Sequence, residues 1–216
     1  MKINKLASFT LLATAGFLAA SASFAATQPS QITNFTAKRT TDVFTVKSKA
    51  WSDPAFGDMG WTHSSDWGRF VARKGQTVTI KLTSETIGVH PAVTVWFRDK
   101  DDTAPDSYVV DHFYPQYANF TKFGATDEGT GASLGNIIMR IKAFGYDQDG
   151  NSKRVKSFNG IKDDVPGQLV LTFKAPNSGP YIFVVGGFNP DVGVDNTIKH
   201  NINASVVVTT PVATTP

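Results

Sequence analysis

Apolar positions in this 216-residue chain seldom recur at helical spacing; they alternate in short runs between turn residues. From 76 to 83, Val78, Ile80 and Leu82 fall on one face while Thr77, Thr79, Lys81 and Thr83 fall on the other, the signature of a half-buried strand. Similar runs at 42–47, 68–72, 92–98, 107–114, 137–144, 168–174, 180–185 and 202–209 are predicted strands. Lys74-Gly75, Asp101-Asp102, Asp149-Gly150, Ser178-Gly179 and Gly186-Gly187 are the predicted turns. Regularly punctuated strands of this kind predict an all-β fold, an antiparallel β-sandwich with long loops. The stretch 169–187 reads as two strands around a Pro/Gly turn, the closing hairpin of the sandwich. We expect one domain over residues 26–208, followed by a disordered Thr/Pro tail at 209–216.

Composition supports a real core, with 41% hydrophobic and 12% aromatic residues. Residues 1–25 have the form of a secretory signal peptide. Lys2 and Lys5 make its basic start, an uncharged apolar run follows from Leu6 to Ala20, and Ser23-Phe24-Ala25 supplies small residues for cleavage. Export to the periplasm, the medium or the cell surface is therefore expected. The apolar run is short for a membrane span, and no later stretch approaches one. Without the two signal lysines, 19 basic residues face 18 acidic ones, a net charge of +1. No basic block resembles a nucleic-acid arm. Cysteine is absent, which excludes disulfides, zinc–thiolate and iron–sulfur sites, thiol nucleophiles and a lipid-anchored N-terminus.

Candidate chemistry then rests on four histidines, His63, His90, His112 and His200. Around the first, residues 57–68 read Gly-Asp-Met-Gly-Trp-Thr-His-Ser-Ser-Asp-Trp-Gly. In extended backbone Met59, Trp61 and His63 share one face, a set of soft and borderline groups that suits Cu(I) better than Mg²⁺ or Ca²⁺. His112 follows Asp111, but neighbouring strand residues face opposite ways, so Asp111 is a poor supporting partner. His90, before a proline, is expected in a turn, and His200 is expected to face solvent. Asp147 and Asp149 put oxygens at alternate positions, loosely like a calcium loop, but the distal glutamate is missing and Asp-Gly is also a hairpin turn. Asp99, Asp101 and Asp102 form a second acidic turn. No Gly-x-Ser-x-Gly elbow or His-Glu-x-x-His motif is present, and the expected mature N-terminus, Ala26, cannot form a histidine brace, so an enzyme is not expected.

Trp61-Thr62-His63 followed about fifty residues later by His112 resembles the exported, copper-repressible copper-binding proteins of methane-oxidising bacteria, the MopE/CorA type. The resemblance extends to length, signal peptide, absence of cysteine and β-rich pattern. It implies that Trp61 is oxidised to kynurenine and that the new aromatic amine joins His63 and His112 around copper. His90 and Met59 are lesser candidates for that site. It also implies an association with a di-haem peroxidase-like protein. The function expected on this basis is Cu(I) scavenging or carriage, with calcium at Asp147 and Asp149 a lesser possibility. The alternative is an adhesion or carbohydrate-binding module using exposed Trp51, Trp67 and Trp96 to stack on sugars.

Overall fold

A computed structural model describes residues 32–47, 60–61, 65–105, 114–115, 119–127, 130–150, 159–189 and 198–211. Through them run β1 (Thr33–Asn34), β2 (Thr41–Lys47), β3 (Gly60–Trp61), β4 (Asp66–Ala72), β5 (Thr77–Ser84), β6 (His90–Arg98) and β7 (Tyr114–Pro115). They continue as β8 (Phe120–Thr126), β9 (Ser133–Asp147), β10 (Gly160–Ile161), β11 (Gln168–Lys174), β12 (Gly179–Phe188) and β13 (Lys199–Thr209). A seven-stranded sheet has the order β1-β4-β12-β6-β9-β10, with β8 also on β9; a four-stranded sheet has the order β11-β5-β13-β2. All the long ladders are antiparallel, and only the two-residue β1 and β10 pair in parallel. The architecture is thus the expected all-β sandwich.

The alternation that marks each strand decides which sheet faces what. Val78, Ile80 and Leu82 of β5 point inward and meet Val93, Val95 and Phe97 of β6 and Tyr181, Phe183 and Val185 of β12. Each such side chain contributes about 1.5–3 kcal/mol by leaving water. Phe183 sits at the centre, its ring 5.5 Å from Phe35, 5.9 Å from Phe44 and 6.0 Å from Phe70. Tyr181 stacks on Phe70 and keeps its hydroxyl paired, donating to Asn177 O at 2.8 Å. Burial pushes that phenol's pKa up, and the Asn177 hydrogen bond only partly opposes this.

The other face of the seven-stranded sheet is apolar too. Even-numbered positions of β6 and β12 build a second core there, with Trp67, Trp96, Met139, Tyr146, Ile182 and Val184. All nine residues of β6 are consequently buried. Between β8 and β10 the edge of β9 is closed by side chains: Ile141 N–H donates to Asn119 Oδ1 at 2.9 Å, and Asn159 Nδ2 donates to Phe144 O at 2.8 Å. Such caps satisfy backbone groups that an open edge would leave free.

Three local expectations are corrected. Gly186 and Gly187 do not turn the chain; they lie inside β12, paired with Ala92 and Pro91. A Cβ on Gly187 would sit 2.9 Å from Val89 Cγ1, so the glycine serves close packing rather than reversal. The strands flanking the Pro/Gly turn do not form a hairpin. β11 pairs with β5 in one sheet and β12 with β4 and β6 in the other, so the turn crosses between sheets. β8 was absent from the sequence reading because four of its residues in a row, Thr121 to Gly124, are exposed and a register shift breaks its alternation. Of the 107–114 strand only Tyr114 lies within the described residues. The signal segment falls outside them, as does the tail beyond Pro211; β13 itself runs through Thr209.

Gly68 of β4 lies opposite Phe183 in the ladder, and a Cβ there would overlap the Phe183 ring. That ring is hemmed in by three others and cannot swing away. Gly68→Ala should therefore cost about 1–3 kcal/mol by overpacking. Urea unfolding checks it: a lowered midpoint at constant slope is expected, and an unchanged midpoint would contradict the packing described.

Candidate metal centre

A two-stranded ladder separate from both sheets carries one of the expected site residues. β3 and β7 pair antiparallel, with Gly60 opposite Pro115 and Trp61 opposite Tyr114. The pairing joins segments far apart in the chain, so Tyr114 as the residue facing Trp61 could not be read from local sequence. Met59, His63 and His112 lie outside the described residues, as do Asp111 and Trp51; Trp61 is described by its backbone position. On the way to β7, the chain is held by Arg98. This buried guanidinium pairs with the Asp102 carboxylate and donates to Ala104 O at 2.8 Å and Pro105 O at 3.2 Å. Asp102 Oδ2 also accepts from Ile138 N at 2.8 Å. The second acidic turn thus organises the departure of this loop from the sheet.

Trp67 and Trp96 are not exposed. They are 6% and 2% accessible and stack on each other with centroids 5.8 Å apart and planes 25° apart. Both fall on the outer face of the seven-stranded sheet, where the second core covers them, so they cannot offer a sugar-stacking platform.

His90 is the first residue of β6, just past the turn expected to lead into a strand, and it is 3% accessible. Its Nδ1 lies 2.7 Å from Asp147 Oδ2. The same oxygen accepts Gly167 N–H at 2.6 Å, while Asp147 Oδ1 accepts Asp149 N–H at 2.9 Å. Asp149, in the turn with Gly150, accepts Asp163 N–H at 2.6 Å. These groups knit the beginning of β6, the end of β9 and the turn before β11 into one unit. Three carboxylate oxygens, two of Asp147 and one of Asp149, thus accept backbone N–H groups. Among the described residues no group of three His, Asp or Glu side chains is arranged to hold a metal ion.

The family model of copper(I)-binding CorA-like proteins matches residues 23–195. The chain belongs to this family. The CorA-like family is defined by binding copper(I), not by a catalysed reaction. Among solved structures, CorA of Methylomicrobium album BG8, described as a surface-associated copper-binding protein important in copper acquisition, is 32% identical. It covers 83% of this chain and 99% of its own, at a TM-score of 0.73. The secreted protein MopE of Methylococcus capsulatus, in which an oxidised tryptophan facilitates copper binding, is 18% identical over 80% of this chain and 86% of its own. Its TM-score of 0.55 marks a shared fold. No curated protein matches the chain. In this CorA-like chain, no helix among the described residues is long and apolar enough to cross a membrane.

His200 departs from its expected solvent exposure. β13 alternates, and its even positions enter the sandwich, so His200 is 5% accessible and its Nδ1 lies 3.2 Å from Thr86 Oγ1. Burial holds its pKa below the ordinary histidine value of 6.5. The unfolded chain therefore takes up this proton more readily than the folded one. Stability should be insensitive to this group above pH 6.5 and should fall as pH drops below it. Thermal melts between pH 5 and pH 8 test this: His200→Gln should flatten the acid-side slope, and an unchanged slope would contradict the assignment.

Proposed function

We propose that this CorA-like protein is an exported, surface-associated copper scavenger or carrier that holds Cu(I) between His63 and His112, with a third nitrogen donor made from Trp61. The observation that carries this reading is the β3–β7 register. It brings the two stretches of sequence that carry the expected donors together at Trp61 and Tyr114, two residues before His63 and two after His112 in the chain. His90 lies buried at the start of β6, in the seven-stranded sheet rather than in the β3–β7 ladder, and is the weaker candidate for the second ligand.

The chemistry of the donors suits the ion. Cu(I) accepts low coordination numbers and favours neutral imidazole and other polarizable donors. An indole nitrogen has its lone pair tied up in the ring. Cleaving the indole C2–C3 bond with two oxygen atoms, supplied by dioxygen or by two molecules of peroxide that leave as water, gives a formylated amine. Hydrolysis then releases formate and frees an aniline-type nitrogen. A di-haem peroxidase-like partner fits the need for an oxidant, and protein made in a foreign host then retains intact Trp61 and weaker copper binding.

His63→Ala and His112→Ala should each remove most of the copper retained after dialysis against a mild chelator, whereas His200→Gln should retain it. Equal retention by all three would sink the two-histidine site. Peptide mass mapping of protein from the native host should find two oxygens gained and one carbonyl lost at residue 61; tight copper binding with unmodified Trp61 would remove the kynurenine and leave the histidines.

A further inference from the structure

The outward face of the four-stranded sheet is basic in a chain whose charges nearly balance. Alternation sends Lys47 of β2, Lys81 of β5, Lys174 of β11 and Lys199 of β13 away from the core. No ion pair to any of the four occurs among the described residues. Lys47 and Lys199 are directly opposite each other in the ladder, an arrangement of like charges that destabilises a sheet. A negatively charged ligand lying across them would reverse that cost.

Carboxylates near this face are already engaged. Glu85 accepts from Asn201 Nδ2 and Asn203 Nδ2, each at 3.0 Å. At the rim, Asp42 is held by Thr33 Oγ1 and Arg39 Nη2, each at 2.8 Å, and Asp163 accepts Gln168 Nε2 at 3.0 Å.

The register orders the lysines along β13. Lys47 and Lys199 mark one end, Lys81 lies beside Ser205, and Lys174 is level with Thr77 and Thr209 at the other end. From Lys199 to Thr209 the strand spans about 34 Å at a rise of about 3.4 Å per residue. A shallow groove of about 510 Å³ crosses the middle, lined by Lys81, by the polar Thr41, Thr83, Asn203 and Ser205, and by Asp42 and Val43. The apolar side chains on this face are valines (Val43, Val170 and Val207), with no aromatic among them. Such a surface has nothing to insert into a bilayer and nothing to stack on a nucleobase.

We infer that this face docks the protein onto an acidic polysaccharide, with sugar carboxylates on the spaced lysines and sugar hydroxyls on the Thr, Ser and Asn side chains between them. This surface gives the protein a means of staying at a glycan-coated exterior, and it does not depend on which residues hold copper.

The test is binding of the full-length, copper-loaded protein to polygalacturonate across a salt series. Lys81→Glu/Lys199→Glu should weaken binding at least about tenfold, with salt dependence reduced. Lys100→Glu/Lys122→Glu, which changes net charge equally on other surfaces, should leave binding within about twofold. Equal losses in both variants, no binding by the wild type, or preference for anionic phospholipid vesicles over polygalacturonate would each overturn the assignment. Lys199→Glu alone keeps it falsifiable on the folded state: it puts opposite charges across the ladder and should raise the melting temperature while weakening polyuronate binding. A lowered melting temperature would count against an unrelieved Lys47–Lys199 repulsion.

Discussion

Burial of the central strands β6 and β12 on both faces of their sheet is the constraint from which the rest of this structure follows. β6 has no exposed residue, and β12 alternates between two cores rather than between core and water. One set of side chains, centred on Phe183, meets the four-stranded sheet; the other, centred on the stacked Trp67 and Trp96, needs cover from elsewhere in the chain. A sandwich whose central strands are buried on both faces cannot rely on two layers alone. Its loops and short strands must therefore do structural work, and the segments that depart from this sheet are where the family's chemistry is expected.

Polar groups near the sheet ends tie those departures down. Arg98, Asp102 and Ile138 fix the chain as it leaves β6, and His90 with Asp147 fixes its entry. Removing one partner of such a buried pair costs about 3–5 kcal/mol, because the survivor keeps its desolvation without its compensation. His90 and Asp147 read as ligand candidates in sequence, since histidines and aspartates look alike whether they hold a metal or a fold. The distinction lies in three-dimensional partnership: the Asp147 oxygens are committed to backbone N–H groups and one imidazole.

The fold class was legible because period-two alternation is a local property, and β5, β11 and β13 obey it cleanly. Sheet membership was not, since nothing near Pro176 says that β11 and β12 part company. Exposure of Trp67, Trp96 and His200 was misjudged for a related reason. A strand face is outward only if nothing packs on it, and a second core cannot be seen from one strand's pattern. The Trp61-x-His63 spacing pointed to the family, whereas the pairing of Trp61 with Tyr114 is a long-range fact of the β3–β7 ladder.

The central claim of the proposed function is that copper sits between the imidazoles of His63 and His112. X-ray absorption at the copper edge of protein loaded in its native host tests it most directly. The account expects a Cu(I) edge, a shell of two or three light nitrogen-type scatterers and the outer-shell pattern of imidazole rings. A shell dominated by sulfur, or a tetragonal Cu(II) spectrum lacking imidazole scattering, would contradict it.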